Sequence, residues 1–239
     1  MINEISPRSM ARLTAISSLV LIVAGIVAQG YVAERMINFR NPAVTSANIL
    51  ANENLFRAGF TIYLIEMTAQ LVMSVLFYYL LKPVSRSGAL VMTVISLTGA
   101  IMKIVGRLFF YSPLYLLHGR GVYTGFDAAQ LDSLALLLLR INDNGAAIAC
   151  AFFGPATMIQ GWLTVKSGYL PRWLGWIGIA GGFFWTLYYW PPLGGKTFMI
   201  AALLGIGGAL ATILWLMIKG VDEERFRERV ALSSSSVWR

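Results

Sequence analysis

The chain has 239 residues, of which 57% are hydrophobic and 13% charged, and its mean hydropathy is +0.68. Those values exclude an ordinary soluble domain and a disordered chain, and they place the protein among membrane proteins. Nineteen Lys and Arg against eleven Asp and Glu leave a formal charge of +8, whose meaning depends on where the basic residues fall.

Six apolar stretches reach or approach the roughly 20 residues that span a hydrocarbon core. The first, 13–33, ends in Ala28-Gln29-Gly30, which loosely resembles a signal-peptide cleavage site. Its length and the five spans that follow read instead as a retained helix. The polar segment TSANILANENLFR (45–57) opens on a Thr/Ser cap signal and leads into the second span, 58–81. That span carries Glu66, with Tyr63 three residues before it and Gln70 four after, on one helical face. The third, 89–110, carries Lys103 and Arg107. Residues 127–140, DAAQLDSLALLLLR, begin at the N-cap signal Asp127 and are too short to cross. The polar run Asn142-Asp143-Asn144-Gly145 separates them from the fourth span, 145–165. Segments 45–57 and 127–140 are expected to be short interfacial helices on the outer side, or else extensions of the neighbouring spans. The fifth span, 173–190, is the shortest and ends in WTLYYW; the sixth is 197–218.

Uniformly apolar runs lack the period-2 alternation of barrel strands, and only helices and closed barrels satisfy every backbone group in lipid. The expected fold is therefore all-α. It is a polytopic transmembrane helical bundle of about six spans over 1–220, with a charged, Ser-rich cytoplasmic tail at 221–239. Small residues recur every four positions at Gly178 and Gly182, at Ala201, Gly205 and Ala209, and at Ala24 and Ala28. Such spacing lets helices approach closely. It allows a homo-oligomer, although packing within one chain explains it equally well.

Placing the N-terminus inside puts eleven Lys and Arg on the cytoplasmic side, including Lys82, Arg86, Lys166 and Arg172 in two short loops, against six outside. This positive-inside asymmetry puts both termini in the cytoplasm. The basic excess is then a topology signal, and no nucleic-acid partner is expected. The single Cys150 excludes an internal disulfide, and His118 is the only histidine. No phosphate-binding loop, HExxH, GxSxG or EF-hand pattern occurs, so neither metal nor cofactor is expected.

A charge within a span costs a few kcal/mol, roughly 2.5–3.5 on insertion scales, and such residues face a partner or a wet cavity. In antiparallel helices, Glu66 and Lys103 lie eight and seven residues below the outer ends of their spans. At about 1.5 Å per residue both sit about 10–12 Å deep, which predicts a pair. The outer half also collects Gln29, Tyr63, Gln70, Arg107, Asn144, Trp185, Tyr188 and Tyr189. An apolar cavity with a few convergent polar groups suits a small ligand, here a lipophilic, isoprenoid-like one taken from the bilayer. Three roles stand open. One is an acid-initiated terpene cyclase or isomerase with Glu66 as general acid, the others lining the substrate site and the aromatics stabilising a cation. The second is a non-catalytic lipid-binding or accessory protein, with Glu66–Lys103 structural or holding a headgroup. The third is a small transporter or proton relay through Glu66, Lys103 and Arg107, which only Gln70, Thr98 and Gln160 would continue inwards. An interfacial aromatic belt equally explains Trp185, Tyr188 and Tyr189.

The segments ARLTAISSLVLIVAGIVAQGYV (11–32), NILANENLFRAGF (48–60), YYLLKPV (78–84), the Leu-rich 131–139, FFG (152–154) and KSGYLPRWLG (166–175) occur in that order. In this combination the chain resembles the bacterial membrane proteins grouped as domain of unknown function 4386. The resemblance covers nearly everything up to about residue 220 and implies a polytopic bundle without an assigned reaction. The family pattern favours an acidic residue near 63, a polar or acidic one near 70 and a histidine after FFG. This chain has Tyr63, Gln70 and Pro155-Ala156, and Glu66 and WTLYYW are departures of its own.

Overall fold

The computed structural model describes residues 6–188 and 191–235; the side chains of Tyr188 and of several residues between 191 and 198 lie outside that description. Among the described residues no strand occurs, and the protein is an all-α helical bundle. Helix α1 (Pro7–Ile26) continues through a π-helical segment (Val27–Ala33) into the short α2 (Glu34–Met36). Then come α3 (Pro42–Ala51), α4 (Glu53–Leu81), α5 (Arg86–His118), α6 (Ala128–Ser167), α7 (Arg172–Tyr188), α8 (Pro191–Ile218) and α9 (Glu223–Ser235).

Among the described residues, five helices are long and apolar enough to cross a bilayer: Pro7–Met36, Glu53–Leu81, Arg86–Gly121, Ala128–Ser167 and Met199–Ile218. The short fifth stretch of the sequence is α7, whose 17 residues extend about 26 Å, a little less than a typical hydrocarbon core. Ile26, Leu108, Leu203 and Leu214 stand exposed on the outer faces of their helices. In water such faces would drive association, whereas in lipid they need no partner.

Local chemistry explains the helix boundaries. Asn41 caps α3 by accepting from the Val44 N–H at 3.1 Å, with Pro42 at the first helical position. The helix thus starts ahead of the Thr/Ser signal, and Thr45 and Ser46 are buried inside it. Asp127 and Gln130 form a reciprocal capping box at the start of α6, with bonds of 2.8 and 2.9 Å. Gly168 and Gly220, at φ of +79° and +72°, end α6 and α8 in the left-handed conformation. The polar run 142–145 breaks nothing: α6 is continuous across it, so the Leu-rich segment extends a span. Asn142 is buried with its side chain engaged by Arg107, which removes the cost of a polar group in the helix interior.

The chain divides into two compact units. One comprises Val20–Thr68 and Ile101–Ala147, and its core is built from Met36, Ile49, Phe56, Tyr63, Phe110, Leu114 and Leu139. Phe56 stacks on Phe110 at 4.6 Å between centroids, and Tyr63 meets Phe110 edge-on at 5.0 Å. Each such pair adds about 0.5–1.5 kcal/mol beyond the area it buries.

The other unit comprises Met1–Leu19, Ala69–Ala100 and Ile148–Arg239. Here the small residues of α6 and α7 meet backbone to backbone. A Cβ on Gly182 would lie 2.6 Å from the Gly154 carbonyl oxygen, and one on Gly178 would lie 3.4 Å from the Gly161 Cα. The GxxxG spacing of α7 is thus used within the chain. Tyr169, buried between α6 and α7, donates its hydroxyl to the Leu80 carbonyl at 2.5 Å and ties that loop to the end of α4.

Candidate functional site

Within the unit Val20–Thr68 and Ile101–Ala147, three ionisable side chains meet inside apolar helices. Glu66 projects from α4, and Lys103 and Arg107 project one turn apart from α5. Lys103 Nζ donates to Glu66 Oε1, and Arg107 Nη2 stands 3.8 Å from Glu66 Oε2. The Glu66 and Arg107 side chains are 6% and 4% exposed, against 19% for Lys103. Arg107 Nη1 donates to Asn142 Oδ1 at 2.9 Å, and its guanidinium carbon lies 3.4 Å from the centre of the Tyr63 ring. Tyr63 donates its hydroxyl to Gln29 Oε1 at 2.6 Å.

Backbone features set this geometry. A Cβ on Gly25 of α1 would sit 3.3 Å from Glu66 Oε1, so the close approach of α1 to the carboxylate needs a residue without a side chain. Two residues further on, the π-helical segment carries Gln29 to Tyr63. A widened turn of this kind re-aims side chains and often marks a functional position. Across the cluster, Gly106 and Gly145 let α5 and α6 approach: a Cβ on Gly145 would meet the Gly106 Cα at 3.7 Å.

Two atoms of the cluster are left over. Glu66 Oε2 and Arg107 Nε are buried and have no hydrogen-bond partner among the described residues. Lys103 and Arg107 both face Glu66, and Asp143 interacts with Arg107 and with Arg140, whose guanidinium donates to the Phe39 carbonyl. Ile101, Met102 and Val105 are exposed on other faces of α5, turned away from Lys103.

Of the residues singled out in the sequence, Tyr63, Glu66, Lys103 and Arg107 come together. Asn144 does not join them: it is exposed, and Asn142 is the residue that turns to Arg107. Gln70 belongs to the other unit, where its amide nitrogen lies 3.4 Å from both Ser74 and Ser96 on the wall of a cavity of about 120 Å³. Trp185 belongs there too, packed against Gly205 of α8. Tyr189 and the side chain of Tyr188 lie outside the described residues. Sequence reasoning missed Gly25 and Asn142. The available signal for Asn142 was an amide three residues from a glycine inside a long helix.

Fold and site together define a membrane-spanning all-α protein with a buried Glu–Lys–Arg cluster. The chain belongs to the family described as Domain of unknown function (DUF4386), whose model matches residues 13–220. It is 28% identical over 165 residues to an uncharacterized protein of Archaeoglobus fulgidus, a match covering 67% of this chain and 80% of that one. No solved structure matches it.

Proposed function

We propose that this chain is a multi-pass protein of the bacterial inner membrane, both termini cytoplasmic, whose Glu66–Lys103–Arg107 cluster binds the polar end of a lipophilic, isoprenoid-like ligand. The observation that carries this reading is the unused hydrogen-bonding capacity of the cluster, Glu66 Oε2 and Arg107 Nε. A purely structural buried ion pair holds its charges best when the remaining lone pairs and protons are also satisfied. Here an oxygen-bearing headgroup would accept from Arg107 Nε and from a spare proton of Lys103, while a hydroxyl on it would donate to Glu66 Oε2. Lys103, with its side chain 19% exposed, is the member of the cluster that a ligand arriving from the bilayer would meet first.

The same orphaned carboxyl oxygen favours a second reading, in which Glu66 is the general acid of a cyclase or isomerase. Glu66 already accepts from Lys103, which suits holding a ligand better than giving up a proton, so binding is the leading reading.

Membranes containing wild type, Glu66→Gln or Lys103→Met decide between them. Each is incubated with polyprenyl and epoxy-polyprenyl substrates, and products and co-purified lipids are identified by mass spectrometry. The binding reading expects an isoprenoid-like lipid on wild type that both variants lose. Turnover by wild type that Glu66→Gln abolishes would select the enzyme. Turnover unchanged in Glu66→Gln would remove Glu66 from the chemistry, and neither lipid nor turnover on wild type would overturn both readings.

A further inference from the structure

A second charged cavity lies in the other unit, and its lining includes no residue of the Glu66 cluster. It has a volume of about 540 Å³ and lies between the turn joining α4 to α5 and the outer turns of α9. Three cations line it: Lys82 and Arg86 from the turn and the start of α5, and Arg229 from α9. Among the described residues no carboxylate lines it. Asp222 and Glu223 of the α9 region are already engaged by Arg225 and Arg227. Ser85 caps α5 by accepting from the Gly88 N–H at 3.1 Å, so the positive end of a 33-residue helix opens on the same space. The remaining wall is mostly apolar, with Tyr78, Pro83, Val84, Val230 and Leu232 beside Ser233, and Val230 and Leu232 are exposed. Lys82 rests over the Tyr79 ring at 4.3 Å, and Arg229 donates to the Lys166 carbonyl at 3.0 Å, so two of the three cations are held in place.

We propose that this cavity binds the phosphate of an anionic phospholipid, with one acyl chain against Tyr78, Val230 and Leu232. A free phosphate or nucleotide would explain the cations and leave the apolar wall without a role. The site also lies where two candidate spans meet, at the end of α4 and the start of α5, where a headgroup would be expected. Basic pockets at the ends of spans recognise anionic lipids in this way, and each Lys or Arg near the surface is worth about a fivefold preference. The amphipathic α9 then serves as the second jaw of a lipid clamp. Phe226 anchors it by packing edge-on against Tyr169 at 5.1 Å between centroids. This inference is independent of the Glu66 site.

The test is native mass spectrometry of the full chain released from nanodiscs holding equal phosphatidylglycerol and phosphatidylcholine with identical acyl chains. Wild type is expected to retain phosphatidylglycerol at least about fivefold over phosphatidylcholine. The variant K82Q/R86Q/R229Q should fall to near parity. A control, R8Q/R12Q/R172Q, removes the same charge from residues outside the cavity and should keep the preference. No preference in wild type, or equal losses in both triple variants, would overturn the proposal. Displacement of the lipid by equimolar glycerol phosphate would overturn the lipid assignment in favour of a soluble anion. Arg86 is exposed, so Arg86→Gln alone keeps the test decisive if the triple variant fails to fold: it should lower the preference about fivefold, and an unchanged ratio would refute the idea.

Discussion

Removing Glu66 should damage the protein more than removing Lys103, and removing both should cost less than the sum. The reason lies in what each change leaves behind. Glu66→Gln strands two cations, and one of them, Arg107, is only 3% exposed and reaches no other carboxylate within salt-bridge distance among the described residues. Lys103→Met leaves the carboxylate facing Arg107 at 3.8 Å, and the methionine keeps an unbranched apolar stem of similar size in the place of the lysine's. Breaking a buried pair from one side costs about 3–5 kcal/mol, because the surviving charge keeps its desolvation penalty without its partner. We therefore expect Glu66→Gln at the upper end of that range and Lys103→Met at or below the lower end. Residues in direct contact couple by about 0.5–3 kcal/mol, so the double variant should recover that much relative to the sum. The assay is reversible unfolding of wild type, both single variants and the double variant in bicelles, followed by tryptophan fluorescence. Losses that add to within about 0.5 kcal/mol would refute the pairing as an energetic unit. A larger loss for Lys103→Met than for Glu66→Gln would refute the role given to Arg107.

Gly25→Ala places a methyl group 3.3 Å from Glu66 Oε1, so the carboxylate must shift by a few tenths of an ångström. The side-chain strain, about 0.5–1.5 kcal/mol, is offset by the better helix propensity of alanine, leaving stability nearly unchanged while retention of a co-purifying lipid falls. Gly182→Val should destabilise by about 1–3 kcal/mol, since its branches would meet the backbone of Gly154 and Met158; Gly207→Ala, with nothing within 4 Å, should be neutral or gain up to about 1 kcal/mol in the same unfolding assay. Reporter fusions at residues 40 and 222 should report opposite faces of the membrane, and agreement between them would mean that α7 does not cross.

The fold class was legible because the physics that selects it is local. Apolar runs about as long as the bilayer is thick have one stable backbone solution, and hydropathy along the chain is enough to see it. Glu66 and Lys103 were legible as neighbours for a similar reason, since equal depth in consecutive spans is arithmetic on residue numbers. The capping signal at Asp127 was also local, and the helix starts there. Which side chain turns inwards from a third helix is a different kind of question. Asn142 and Asn144 are equivalent by composition and depth, yet only one faces α5. That choice depends on the rotation of α6, which the approach of Gly145 to Gly106 sets across the pair. Likewise, a carboxylate seated on Gly25 and a tyrosine held through a π-helical turn arise from contacts between residues 34 to 41 positions apart. The polar run 142–145 reads as a helix break in sequence because asparagine and glycine favour loops when their polar groups must find water. Once Arg107 satisfied Asn142, that preference had no force, and the helix ran through. The span-forming tendencies of this protein are thus written along the chain. The identity of the groups that meet Glu66 and Arg107 was decided only when the helices packed, because burial and partnering belong to pairs of residues and not to any one of them.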